Sequence, residues 1–360
     1  MATGLFVSAV ANLLMGIFGF TQTLTGTIGA VTFVAFFILW GFNGWAQSMG
    51  APPGIITLSR WFPLAKRGTY YSIFSASPYL GKFLTFILTG VIVGLWGWKW
   101  GFIFAAAAGV AGGLIVLFFV SDTPESKGLP SVQQLSGEKP RKEDSMPTRT
   151  LQKIVLRHPG IWIIAISSAF VYITQYAISG WGVLFLQEVK GYSLASATQV
   201  ISINALCGIV GTVFSGWLSD RLFQGRRNVL AFGFGVLYTI ALCLFLYSGN
   251  SMFINVLSMV LFGISIGVLI CFLGGLMAID IVPREATGAA LGIVGMASYV
   301  GAGLQDIISG WLIDSGKSVS NGITTYDFDL AIVFWIAASI LSFVLALFVS
   351  RKDKSGCNQN

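Results

Sequence analysis

Ten long apolar stretches, divided four and six by one charged loop, constrain this chain more than any other feature. They run over residues 5–20, 30–59, 70–95, 101–120 and 160–186, then 197–217, 229–248, 253–282, 288–313 and 329–350. Crossing a bilayer takes roughly 20 mostly apolar residues per helix. In hydrocarbon the backbone must satisfy its own hydrogen bonds, so such stretches pack as a helical bundle. A chain with 55% hydrophobic and 10% charged residues and a mean hydropathy of +0.80 fits no soluble class. The expectation is an all-α polytopic membrane protein of about 10 transmembrane helices. The first stretch lacks both a basic leader and a small-residue cleavage site, so it reads as a helix and not as a signal peptide.

Basic residues set the orientation. Of the 21 Lys and Arg, all but Lys82, Lys99, Lys190 and Lys317 fall in the central loop, the basic turns on its side, or the C-terminal tail. The positive-inside rule places that side, with both termini, in the cytoplasm of a multi-pass membrane protein. The net charge of +7 is dispersed over inter-helix turns, which excludes a nucleic-acid patch. Cys207, Cys243, Cys271 and Cys357 lack ligand spacing and read as packing residues. With a single histidine, His158, no metal cluster and no cofactor is expected.

The domain reading is residues 1–120 as a first helical half, 121–158 as a cytoplasmic linker, and 159–360 as a six-helix second half with its tail. The linker holds Pro124, Pro130, Pro140 and Pro147 among mixed charges. A repeat crosses it. Pro63, Gly68, Ile73, Tyr79, Gly81 and Gly90 recur 220 residues later as Pro283, Gly288, Ile293, Tyr299, Gly301 and Gly310. Parallel repeats of this kind build two halves around a midplane site. Glycine pairs such as Gly90/Gly94 and Gly208/Gly211 permit close helix contact, and Trp96, Trp98 and Trp100 form an interfacial belt.

The turn from Gly216 to Arg227 has the pattern G-x-x-x-D-R-x-x-x-G-R-R, with Asp220, Arg221, Arg226 and Arg227. An acid at a helix end beside guanidinium groups can clamp neighbouring helix termini, and Arg67 adds a further basic group in the turn before residue 70. This turn resembles the loop signature of the major facilitator superfamily. Three more segments resemble its organophosphate:phosphate antiporter family, the bacterial glycerol-3-phosphate and hexose-6-phosphate transporters. They are Gly50-Ala-Pro-Pro53 running to Lys66-Arg67-Gly68, then Asp122 to Pro130, then Phe170 to Trp181. The resemblance implies a two-bundle fold that moves a phosphorylated or other small anionic metabolite by alternating access, in exchange for inorganic phosphate. The protein would be a monomer in the lipid bilayer and not an enzyme.

The resemblance also places Met1 just before the family's third helix, with four of six helices in the first half. On that expectation the 360-residue form inserts but does not transport. The family's phosphate-holding arginine of the seventh helix aligns with Gln175, which can donate a hydrogen bond but supplies no charge. Pro78 stands where the glycerol-3-phosphate transporters carry histidine.

Lys82 is the leading candidate for the substrate site, because an ionisable group that deep in a span costs ~2.5–3.5 kcal/mol and normally faces a cavity or a partner. Asp306, an acid well inside a span, lies one turn past the position equivalent to Lys82. It resembles an acid of some hexose-phosphate members. Asn43, Gln47, Tyr79, Tyr172, Asn204 and Tyr299 complete the candidates, the tyrosines because they can stack on a ligand and donate a hydroxyl. Three other readings stay open: a membrane sensor of external sugar phosphate, a transporter of a non-phosphorylated solute, and a non-functional truncated fragment.

Overall fold

The apolar stretches fold as helices. In chain order they are α1 (Ala2–Thr25), α2 (Ala30–Gln47), α3 (Ala51–Trp61), α4 (Leu64–Trp96), α5 (Trp98–Phe119), α6 (Thr148–Arg157) and α7 (Pro159–Glu188). Then come α8 (Leu194–Leu222), α9 (Arg227–Tyr247), α10 (Met252–Cys271), α11 (Met277–Asp280), α12 (Thr287–Ser315) and α13 (Asp329–Leu347). The computed structural model describes residues 1–25, 30–62, 64–130, 132, 148–222, 227–282, 286–320 and 323–348.

Among the described residues, 9 helical segments are long and apolar enough to cross a bilayer. The stretch 30–59, expected as one span, is divided. Its apolar part is the shorter helix Val31–Gln47, and α3 starts after a turn at residues 48–50. The cause is local: prolines occupy the first positions of α3. There their missing N–H groups have no helical partner to lose, but they cannot carry the ladder on from α2. Within the stretch read as a linker, Glu125–Lys127 form a 3-10 turn and Thr148–Arg157 form α6, whose Val155 is buried. Between α12 and α13, the Ser/Gly/Thr-rich loop folds into an antiparallel hairpin of β1 (Ser318–Ser320) and β2 (Ile323–Thr325). A π-helical turn, Phe272–Leu276, joins α10 to α11.

Packing separates two units. The first holds α1, α2, α3, α5 and both ends of α4; the second holds the α4 segment Pro78–Ile87 and everything from α6 onward. Pro78 lacks the N–H that would bond the carbonyl of Phe74, and the Ser77 hydroxyl donates to that carbonyl at 2.7 Å instead. A helix in lipid tolerates proline only with such a replacement.

In the first unit, α1 packs on α5 through small residues: a Cβ at Gly109 would sit 3.1 Å from Ala9 Cβ, and one at Gly113 2.8 Å from the Phe6 ring. Trp96 stacks on Phe104 with centroids 5.6 Å apart, Trp98 meets Phe36, Trp100 meets Phe20, and the Lys99 ammonium lies 5.0 Å from the Phe20 centroid.

The second unit carries a large apolar core that includes Phe185, Phe245, Phe262 and Trp335. Its tightest seam is α8 against α10. Gly211 lies on the carbonyl of Ile264, Gly263 on that of Asn204, and Gly267 on that of Gly208, leaving no room for a Cβ. Gly94, by contrast, has nothing within 4 Å. Buried hydroxyls cross-link the other helices: Ser168 to Ser298 at 2.8 Å, Thr239 to Ser339 at 2.8 Å, and Trp335 Nε1 to Ser309 Oγ at 2.8 Å. Interhelical bonds of this kind average about 0.6 kcal/mol each, so these cross-links stabilise the unit by their number and not singly.

Candidate functional site

The second unit gathers most of the expected site residues on α4, α7 and α12. Helix α7 supplies the platform. Its first residue is Pro159, where a proline is preorganised for a helix start. It is buried over much of its length, with Ile164, Ala177, Ile178 and Phe185 fully covered. Helix α12 runs beside it in the same direction. Ser168 bonds Ser298, a Cβ at Gly301 would lie 2.9 Å from the Ala169 carbonyl, and one at Gly310 would lie 3.5 Å from the Trp181 ring.

Lys82, half-buried on α4, donates from Nζ to Ser179 Oγ at 2.6 Å, and Ser179 Oγ in turn donates to the Gln175 carbonyl at 2.8 Å. An ammonium has three donors. Among the described residues, Ser179 is the hydrogen-bond partner of Lys82, and no acid pairs with it. The Gln175 side chain is 9% exposed and its Oε1 is buried without a hydrogen bond. Leaving a buried acceptor unpaired costs ~1–3 kcal/mol, so the amide is poised for a partner the protein does not supply.

Tyr172 stacks on Tyr176 (centroids 5.9 Å, interplanar 19°), and Tyr299 meets both edge-on at 5.6 and 6.4 Å. Asp306 is exposed on α12 beside Gly180, where a Cβ would lie 3.5 Å from its Oδ1. Tyr79, one turn before Lys82 on α4, rests its ring on Gly208 at 2.7 Å from a Cβ position, and its hydroxyl is buried without a hydrogen bond. Asn204 is buried in the α8 seam with Nδ2 unpaired.

Asn43 belongs to a different constellation. It is buried in the first unit, where its Oδ1 accepts from Ser8 Oγ, from Asn12 Nδ2 at 3.2 Å and from Gln47 Nε2 at 3.2 Å. This knot satisfies Asn43 within α1 and α2. The side chains of Arg67, Asp220, Arg221 and Arg227, and the whole of Arg226, lie outside the described residues.

Sequence reasoning did not single out Tyr176 and Ser179. Each sits four residues after an expected one, Tyr172 and Gln175, so the helical period was the signal that would have found them. Lys190 is also more than an outer-loop charge. It is 8% exposed and bonds the Phe245 carbonyl, Ser248 Oγ at 3.2 Å and Asn255 Oδ1 at 2.7 Å, while Asn255 Nδ2 donates to Tyr192 at 3.0 Å. Burial pushes its ammonium down from 10.5 to about 8. This knot ties the α7–α8 turn to the ends of α9 and α10.

Residues 1–304 match the profile described as Major Facilitator Superfamily. The glycerol-3-phosphate transporter of Bacillus subtilis (strain 168) is 33% identical over 327 residues, covering 87% of this chain and 71% of that protein. The probable hexose phosphate transport protein of Chlamydia muridarum is 28% identical over 325 residues, covering 84% and 67%. In structure, a bacterial homologue of the human lysosomal transporter Spinster is similar at a TM-score of 0.65 and 16% identity, over 97% of this chain and 83% of that one. That likeness concerns the fold alone.

Proposed function

The chain belongs to the major facilitator superfamily, in its organophosphate:phosphate antiporter family, and from that membership we propose a secondary transporter of a small phosphorylated metabolite. The observation that carries the reading is Lys82: a lysine inside a membrane span, held by one hydroxyl, with no acid partner among the described residues and donors to spare. Keeping such a cation in a span costs ~2.5–3.5 kcal/mol, which an anionic ligand offsets. Ser179 accepts from it and orients it, and the unpaired Gln175 Oε1 nearby is an acceptor for a hydroxyl or N–H of the ligand rather than for its phosphate. No covalent step is required. Binding and release on alternate sides of the inner membrane suffice, with inorganic phosphate as the exchanged anion, a monomeric carrier and cytoplasmic termini.

Asn43 is proposed as a supporting residue of the first unit, since its acceptor is already occupied by three neighbours. The test is equilibrium binding of labelled glycerol 3-phosphate, glucose 6-phosphate and inorganic phosphate to the purified protein in nanodiscs. Lys82→Met should weaken all three at least about tenfold while membrane insertion is unchanged, as expected for loss of a charge-assisted contact. Unchanged affinity in Lys82→Met would overturn its assignment to the anion. Failure of the unaltered protein to bind any of the three would overturn the substrate class.

A further inference from the structure

We infer that the ligand of this site carries an ammonium group as well as its phosphate: a small aminoalkyl phosphate or phosphonate, zwitterionic at neutral pH. This rests on the reading of a phosphorylated ligand given above and narrows it. The first ground is charge balance. Lys82 and Asp306 both lie inside spans, and they approach α7 at successive residues, Lys82 at Ser179 and Asp306 at Gly180. They are not spent on each other, for among the described residues no ion pair joins them. Gln175 adds no charge. A sugar phosphate dianion would therefore meet one cation and one anion, with no net attraction, and would bring its own charge toward a carboxylate. A zwitterion matches both ends.

The second ground is the chemistry around the carboxylate. Tyr176 precedes Gly180 by one helical turn, and Tyr299 precedes Asp306 by two, so rings and acid lie along one strip of the α7–α12 seam. Three tyrosines in mutual contact, with Tyr299 63% exposed, offer electron-rich ring surface, and Tyr176 carries it to within one turn of Gly180, the residue Asp306 approaches. Aromatic faces beside a carboxylate hold an ammonium by cation–π attraction and charge together, whereas a neutral hydroxyl gains nothing from the ring quadrupole. At the other end, the spare donors of Lys82 face no competing acid and take the phosphate oxygens.

The experiment compares two probes of one shape, phosphoethanolamine and propyl phosphate, by competition against labelled glycerol 3-phosphate on the protein in nanodiscs. The unaltered protein should prefer phosphoethanolamine roughly tenfold, a factor within reach of a desolvated cation–π contact combined with a carboxylate. Asp306→Asn and Tyr299→Leu should each cut that ratio to below about threefold, and Asp306→Glu should restore it; because the ratio is read within one protein preparation, partial misfolding does not mimic the result. Equal affinity for the two probes, or a ratio untouched by both variants, overturns the ammonium assignment and leaves the phosphate reading standing. Binding of neither probe and of no glycerol 3-phosphate overturns the phosphate reading, and this inference with it.

Discussion

A single lysine shows how context rewrites a side chain. Lys190 sits in a short turn and looks like any outer-loop charge, yet it is buried among the Phe185 and Phe245 rings, at 5.5 and 5.1 Å from their centroids, and three oxygens. Its pKa gives a prediction. The unfolded chain keeps the proton up to 10.5, whereas the folded chain releases it near about 8. In that window the unfolded state binds more protons, so this residue's contribution to stability improves as pH rises from 8 toward 10.5; below 8 the full cost of burying the charge is present. Thermal unfolding of the unaltered protein and Lys190→Met in detergent should therefore show a difference that shifts in favour of the unaltered protein between pH 8 and pH 10. A difference constant across that range would mean that the hydrogen bonds hold the ammonium at its ordinary pKa. At the same scale, Tyr172 and Lys82 were legible as unusual residues for a span, while the acceptor of Lys82, Ser179, was not. A serine in a helix is unremarkable until the neighbouring helix delivers a cation to it.

At the scale of elements, the α8–α10 seam sets helix spacing in the second unit and thereby positions Gly208 under the Tyr79 ring. The glycines there are not interchangeable with others. A Cβ at Gly211 would run into the Ile264 carbonyl, whereas one at Gly233 meets nothing within 4 Å. Gly→Ala within a helix gains roughly 0.5–1 kcal/mol when space allows, and overpacking costs about 1–3 kcal/mol. Gly211→Ala should thus lower the apparent melting temperature in detergent while Gly233→Ala leaves it level or raises it. Equal shifts for the two would show that the seam relaxes at no cost. The repeat is a second lesson at this scale. Gly301 presses on the Ala169 carbonyl, but its counterpart Gly81 has nothing within 4 Å. Sequence correspondence preserved the residue while the packing around it diverged.

For the whole molecule, the charge asymmetry predicts topology independently of any side-chain contact. Positions 142 and 226 should be cytoplasmic, and positions 99 and 317 should face outside. Single cysteines introduced at these positions, in a background freed of the native cysteines, can be probed with an impermeant thiol reagent on whole cells. Labelling at 99 and 317 alone is the expected pattern, and labelling at 142 from outside would reverse the orientation. The two-unit division adds a feature that topology does not contain: α4 lends Pro78–Ile87, with Tyr79 and Lys82, to the second unit.

The sequence by itself determined the membrane-spanning, all-helical class, because in hydrocarbon an apolar run has almost no alternative to a helix. It also marked the family through its loop motifs, and Lys82 and Asp306 through the cost of ionisable groups in a span. Only the tertiary structure decided which of these meet. It joined Lys82 to Ser179, set Tyr172, Tyr176 and Tyr299 against one another, left Asp306 beside Gly180 and unpaired with Lys82, and put Asn43 in a satisfied knot of the first unit. The physical reason is that helix periodicity fixes which residues share a face, whereas the partner opposite that face comes from a helix 31 to 130 residues away, chosen by the packing of the bundle.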